Sequence, residues 1–242
     1  MKEVTLEISA RAQLTRDVYR MVLCGDTTAI TAPGQFINIK LDDLYLRRPI
    51  SVCDWEPEEV TILYKVVGKG TACMAGIPVG THLSVLTGLG NGYDTAKSGE
   101  YPLLLGGGVG VPPLYLLAKQ LLSEGKNVTA VLGFNTADEV FYEDEFRALG
   151  AKTIVTTADG SRGTRGFVTD ALPQDYTYVY TCGPEPMLKA VYNAIETSGQ
   201  FSFEERMGCG FGACMGCTCK TKYGSKRICT DGPVLEKEEI VW

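Results

Sequence analysis

Short runs of alternating apolar and polar residues fill the first part of the chain. They lie at Thr5–Ala10, Val18–Val22, Gln35–Leu41, Ile50–Cys53, Val60–Val67 and His82–Leu86, punctuated by Gly25-Asp26, Pro33-Gly34, Glu56-Pro57 and Gly68-Lys69-Gly70. Period-two patterning between Gly and Pro turns predicts an antiparallel β-barrel over residues 1–97. The opening Met1–Glu7 alternates like a strand and carries no apolar leader core. Glycines from Gly88 to Gly92, and again Gly99, predict a hinge after the barrel.

From Tyr101 the period changes. Leu103–Leu105 reads as a buried strand and Leu114–Leu122 as a helix. Strand patterns follow at Asn127–Phe134, Thr153–Thr157 and Thr177–Cys182, with helical patterns at Glu139–Leu149 and Pro186–Thr197. Strands alternating with helices predict an α/β parallel sheet over residues 98–203. Residues 204–242 form a third segment, rich in Gly and Cys, with a hairpin turning near Tyr223-Gly224-Ser225. There is no internal repeat and no low-complexity tract.

Composition narrows the classes. The 242 residues carry 23 Lys and Arg against 29 Asp and Glu, a net charge of −6 that argues against a nucleic-acid binder. Hydrophobic residues make up 45%, which excludes wholesale disorder. No apolar run reaches the roughly 18 residues of a membrane span, so a soluble cytoplasmic chain is expected. Nine cysteines in such a chain point away from a disulfide framework, and five of them crowd between Cys209 and Cys229.

Cys209, Cys214, Cys217 and Cys229 are spaced C-x4-C-x2-C-x11-C, the order of a plant-type 2Fe-2S site. Gly208, Gly210, Gly212 and Gly216 allow the sharp turns that bring backbone N–H groups to the sulfurs. Zinc more often takes two C-x2-C pairs, and here there is one. Cys219, two residues past Cys217, stands as a rival fourth ligand to Cys229 or as a small buried hydrophobe.

Arg48-Pro49-Ile50-Ser51 on a barrel strand offers a guanidinium fork for a pyrophosphate and a hydroxyl for the polar edge of an isoalloxazine ring. Leu63-Tyr64-Lys65 supplies an aromatic to stack on that ligand, and Gly70-Thr71 a helix N-terminus for phosphate. An exposed Arg before a strand-initiating Pro is the plainer reading of Arg48. Gly106, Gly107, Gly108 and Gly110 lie between a strand and a helix, where a dinucleotide loop belongs, with Pro113 in place of the usual third glycine. Cys182-Gly183-Pro184 ends another strand and would face a nicotinamide ring; the plain alternative for Cys182 is a small buried residue. Asp138, Glu139, Glu143, Asp144 and Glu145 favour NAD, while Arg162 and Arg165 leave room for a 2′-phosphate.

Barrel, Arg48–Ser51, Gly106–Pro113 and Cys182–Pro184, in that order, resemble the ferredoxin–NADP reductase superfamily. The closing Glu205–Cys217 and Cys229–Val234 are similar to the electron-transfer subunits of type B, NAD-linked dihydroorotate dehydrogenases of bacterial pyrimidine (UMP) synthesis. The resemblance spans the whole chain. It implies FAD contacts at Arg48, Pro49, Ile50, Ser51, Leu63, Tyr64, Lys65, Gly70 and Thr71, and cluster ligands at Cys209, Cys214, Cys217 and Cys229. It also implies an FMN-containing catalytic subunit as partner, two of each in a heterotetramer. One departure is that the chain does not end at the parallel sheet with an aromatic over the flavin; Trp242 follows the cysteine segment and does not inherit that role.

Residues and resemblance converge on a relay in which NAD exchanges two electrons, an iron–sulfur cluster one, and FAD either. His82 is the only histidine, which excludes a Rieske cluster. No acid–base apparatus is evident, so substrate oxidation belongs on a partner chain. Two rivals stay open: a reductase subunit serving a hydrogenase, a ferredoxin:NADP oxidoreductase or an oxygenase, and a zinc-stabilised binding module on an inactive nucleotide fold.

Overall fold

A computed structural model describes residues 1–42 and 44–242. The first strands are β1 (Lys2–Gln13), β2 (Val18–Gly25), β3 (Phe36–Ile39), β4 (Arg48–Glu56), β5 (Glu59–Lys65) and, after helix α1 (Lys69–Gly76), β6 (His82–Leu89). They close into a barrel in the order β1-β2-β5-β4-β3-β6, each neighbour antiparallel. Alternation does the sorting. Leu6, Ile8, Met21, Leu23, Ile37, Ile39, Val60 and Ile62 fill the interior, and Met74 of α1 joins the same core.

The second body is a seven-stranded sheet built from β7 (Pro102–Gly107), α2 (Pro112–Ser123), β8 (Thr129–Phe134), α3 (Glu143–Leu149), β9 (Lys152–Thr157), β10 (Thr164–Arg165), β11 (Tyr178–Cys182), α4 (Glu185–Ala194) and β12 (Gly199–Ser202). The remaining elements are a hairpin of β13 (Thr218–Thr221) and β14 (Gly224–Arg227), the short α5 (Ile228–Asp231) and β15 (Val234–Glu236). The sheet order is β10-β9-β8-β7-β11-β12-β15, parallel throughout except that β15 runs antiparallel to β12. The Gly/Cys-rich segment therefore supplies one edge of the nucleotide sheet.

Helix α2 starts on Pro112-Pro113, where missing N–H groups cost nothing. It buries Leu114, Leu117, Ala118 and Leu121 in one core with Cys53 and Leu63 of the barrel. At its edge Lys119 Nζ lies 3.0 Å from Asp54 Oδ1 and also meets Glu56. This seam holds barrel and sheet together.

Residues 88–99, expected as a hinge, are hydrogen-bonded to both sides: Asn91 N–H donates to Gly232 O at 2.7 Å, Asn91 Nδ2 to Val234 O at 2.7 Å, and Tyr93 N–H to Pro33 O at 2.7 Å. The helix expected from Glu139 begins only at Glu143, because Val140 is extended and Tyr142 is left-handed at φ +64°. Packing overrides the helical period there, since Phe141 lies 5.2 Å from Phe134 and Tyr142 5.1 Å from Tyr115, both edge-on. The short strands β10, β12 and β15 carry no periodic signal of their own.

Candidate functional site

The four spaced cysteines come together as two pairs. Cys209 N–H points at Cys214 Sγ at 3.4 Å and their thiols interact, while Cys229 N–H points at Cys217 Sγ at 3.4 Å and those thiols interact. Phe211 and Ala213 N–H reach Cys209 Sγ at 3.5 and 3.2 Å, and Gly216 N–H reaches Cys214 Sγ at 3.4 Å. Left-handed turns at Gly210 (φ +78°), Gly212 (φ +92°) and Met215 (φ +61°) aim these groups. Burial pushes the Cys209 thiol up, but N–H groups of Phe211, Cys214 and Ala213 outweigh it and bring it down to about 6. Burial, then Cys217, pushes the Cys229 thiol up to about 12.

This donor set fits a two-iron cluster, which takes two thiolates on each iron and N–H groups toward sulfur. Cys217 and Cys229 are buried against the sheet core; Cys214 is exposed, beside exposed Phe211 and Met215. Cys219 turns instead to a cavity of about 540 Å³ shared with Gly183, Phe203, Arg206 and Trp242.

On the barrel, the structure joins two segments the sequence had linked only by function. The Arg48 side chain lies across Gly70, where an added Cβ would sit 1.8 Å from Arg48 Nε. Arg48 Nη1 donates to the carbonyls of Leu46 and Arg47. Thr71 Oγ1 accepts from the N–H groups of Val67 at 3.0 Å and Gly68 at 3.3 Å, so its hydroxyl closes the turn. Pro49 and Ser51 pair across β3 with Asn38 and Phe36, while Ile50 faces Ile37.

Tyr64, expected to stack on the flavin, shares the inward face of Val60 and Ile62, stacks on Tyr19 at 6.0 Å, and among the described residues its hydroxyl has no partner. Burial pushes that phenol up to about 12. Leu63 packs toward α2, and Lys65 lies 3.1 Å from Asp17. If Arg48 and Gly70 form one anion cradle, Gly70→Ala should displace the guanidinium and weaken flavin retention at least tenfold, measured by FAD release under dilution, while the barrel keeps its far-UV signature.

In the sheet, Gly106 of β7 and Cys182 of β11 are register partners, so both glycine-rich loops leave the same edge side by side. An added Cβ at Gly110 would lie 2.2 Å from the Cys182 carbonyl oxygen, and one at Gly107 2.4 Å from Met187 Sδ. Those glycines pack one loop on the other. Gly108, left-handed at φ +52°, faces open space and is the position a ligand backbone can approach. Gly183 packs on Met187, Pro184 caps α4, and Pro113 is buried in the first turn of α2. Cys182 is half-buried, and burial pushes its thiol up to about 12, partly offset by Ser202, so it is neutral at pH 7.

At the ends of β8 and β9 the charges are not where the sequence suggested. Glu143 is buried and lies 2.5 Å from Arg162 Nη2 and 2.5 Å from Arg147 Nη2. Ser161 Oγ accepts from Ala137 N–H at 2.7 Å and donates to Asp159 at 2.6 Å, which holds that carboxyl below its usual range. Arg162 is thus already engaged. Sequence reasoning did not single out Asn38 or Ser202, each one polar residue in an otherwise unremarkable strand, nor the part Glu143 plays here, since it stands within an acidic run.

Residues 204–241 match the family model for the iron–sulfur cluster binding domain of dihydroorotate dehydrogenase B, and residues 104–193 match the oxidoreductase NAD-binding domain. Two relatives, each named as the electron transfer subunit of dihydroorotate dehydrogenase B (NAD(+)), come from Shouchella clausii and Fusobacterium nucleatum. The first is 45% identical, with 99% of this chain and 98% of the relative covered. The second is also 45% identical, with 99% of each covered. Among solved structures, a chain of the NADH-dependent reduced ferredoxin–NADP oxidoreductase superposes with a TM-score of 0.89 at 31% identity, covering 98% of this chain and 90% of that one.

Proposed function

This chain belongs to the electron transfer subunits of NAD(+)-linked dihydroorotate dehydrogenase B, and on that premise we propose that it passes electrons from an FMN-containing catalytic subunit to NAD⁺, in a heterotetramer of two subunits of each kind serving pyrimidine synthesis. Cys209, Cys214, Cys217 and Cys229 hold a 2Fe-2S cluster; Arg48, Pro49, Ile50, Ser51, Leu63, Tyr64, Lys65, Gly70 and Thr71 line the FAD site, Tyr64 through its backbone. Gly106, Gly107, Gly108, Gly110, Pro113, Cys182, Gly183 and Pro184 shape the NAD site. When bound, FAD exchanges hydride with the nicotinamide and single electrons with the cluster. The chain's own part is placement. Arg48 over Gly70 presents positive charge to the pyrophosphate, neutral Cys182 faces the nicotinamide without a competing charge, and backbone N–H groups stabilise the cluster sulfurs.

One observation carries this reading: the cysteine loop docks directly on the flavin strands, with Asn38 of β3 bonded to the Cys209 carbonyl. The loop of the proposed one-electron site thereby touches β3, the register partner of β4, which carries proposed flavin contacts. The units divide near residues 97 and 203. The exposed outer cysteine, Cys214, with Phe211 and Met215 beside it, is where the catalytic subunit docks. No described helix is long and apolar enough to cross a membrane, and nine unpaired cysteines suit the reducing cytoplasm.

The test is anaerobic copurification, with iron, sulfide and flavin counted and dihydroorotate-dependent NAD⁺ reduction measured. Colourless protein after reconstitution with iron, sulfide and FAD would sink the relay. The likeness to the ferredoxin–NADP oxidoreductase chain supports a second reading, a reductase subunit for another partner; copurification without an FMN protein would favour it. The Glu143–Arg162 pair adds a cofactor prediction. Glu143→Gln should free Arg162 for a 2′-phosphate and raise kcat/KM for NADP⁺ relative to NAD⁺ about tenfold, the size of one charge-assisted hydrogen bond.

A further inference from the structure

Asn38 is out of character with its strand. It stands in Phe-Ile-Asn-Ile of β3, all four residues buried, and is 1% exposed. Ile37 and Ile39 enter the barrel core; Asn38 and Phe36 take the opposite face, where Pro49 and Ser51 of β4 are their register partners. On that face Asn38 Nδ2 donates to the carbonyl of Cys209 at 3.3 Å, 171 residues away along the chain. The next residue, Gly210, approaches so closely that an added Cβ would lie 2.3 Å from Nδ2.

Among the described residues, Asn38 Oδ1 is buried without a hydrogen-bond partner. Rotating the amide by 180° would set its oxygen against the Cys209 carbonyl, so the contact itself decides which end faces the loop. A buried acceptor left unpaired is destabilising, and an apolar β-branched residue would suit this strand position better. The amide is therefore tolerated for what its N–H holds.

Resting on the reading of function above, we propose that Asn38 is a positioning residue: it fixes the Cys209–Gly210 turn of the cluster loop against the strand pair that carries the flavin contacts, and so sets the spacing across which electrons pass between FAD and cluster. It touches neither group in this role. It acts through the peptide of a cluster ligand, as outer partners of metal ligands do, whose removal typically weakens function 10- to 100-fold.

The experiment uses anaerobically purified holoprotein reduced with NADH in a stopped-flow mixer, following flavin bleaching and cluster reduction separately, with the EPR spectrum of the reduced cluster as second readout. Asn38→Asp keeps the shape and removes the donor; Asn38→Ala removes the amide; Asn38→Gln keeps an N–H donor. The expected result is flavin bleaching by NADH at the native rate in all three. Cluster reduction should slow about tenfold in the Asp and Ala proteins, with altered EPR, and return toward the native rate in the Gln protein. Selective loss of the cluster from the Asp and Ala proteins, with FAD retained, carries the same meaning. Cluster reduction within twofold of native with an unchanged EPR spectrum overturns the assignment, as does equal loss of flavin and cluster. Native protein that binds neither iron nor flavin overturns the reading of function instead.

Discussion

Cys217→Ser is expected to leave FAD bound and to cut electron delivery between this chain and its one-electron partner at least a hundredfold. Cys217 is 2% exposed, receives the N–H of Cys229 at its sulfur, and is packed in the core that contains Phe36, Ile228 and Leu235. Burial leaves no room for a water or a neighbouring residue to replace the missing thiolate, and a serine hydroxyl is a far harder donor than iron–sulfur chemistry favours. Loss of Cys217 is therefore expected to remove the cluster rather than loosen it. The proposed flavin contacts are on β4, β5 and α1, and Ile50, Leu63 and Tyr64 among them pack in cores other than that of Cys217. Iron and sulfide per chain, FAD per chain, NADH oxidation by a flavin-level acceptor and coupled dihydroorotate turnover together read the outcome. Undiminished coupled turnover would contradict the ligand role.

Gly110→Ala should be nearly as damaging, for a different reason. The new Cβ would meet the Cys182 carbonyl oxygen at 2.2 Å, its carbon at 2.4 Å and Gly183 Cα at 2.6 Å. All three are backbone atoms and cannot swing aside. Relief requires the ends of β7 and β11 to part, which opens the crevice where a dinucleotide binds on a parallel sheet. Overpacking of this kind destabilises by about 1–3 kcal/mol, and a misplacement of roughly 1 Å at a reacting centre lowers rate on the order of a hundredfold. Gly107→Ala is the control. Its Cβ would meet the flexible end of Met187, 2.4 Å from Sδ, so a rotamer change relieves most of the clash. Thermal unfolding and the rate of flavin reduction by NADH distinguish the two; equal behaviour of both variants would refute the backbone argument.

Much of this was legible in the chain because local pattern and long-range packing agree. The six barrel strands announce themselves by alternation, α2 by its apolar stripe after two prolines, and the cysteine loop by spacing that little besides a cluster requires. What stayed hidden has one origin, which is that a linear pattern does not show which neighbour a residue will meet. Tyr64 was read for its aromatic type, while its parity turns it inward onto Tyr19. Gly110 was read only as one glycine of a dinucleotide loop, and the sequence could not show that its missing side chain makes room for the Cys182 carbonyl. Arg162 was read as a spare cation until the fold placed Glu143 beside it. Asn38 left no trace because one polar residue in an alternating strand looks like any solvent-facing position; only the return of Cys209 buries it.

The antiparallel strand β15 turns the iron-binding segment into a lid on a vulnerable border. Its residues Val234–Glu236 satisfy the outer hydrogen-bonding groups of β12, which would otherwise be a bare row of donors and acceptors beside buried Phe201. A chain cut short before this segment would not revert to a simpler flavin reductase. It would display an unprotected sheet margin of the kind that recruits another strand, so the segment proposed as the electron inlet also covers that edge.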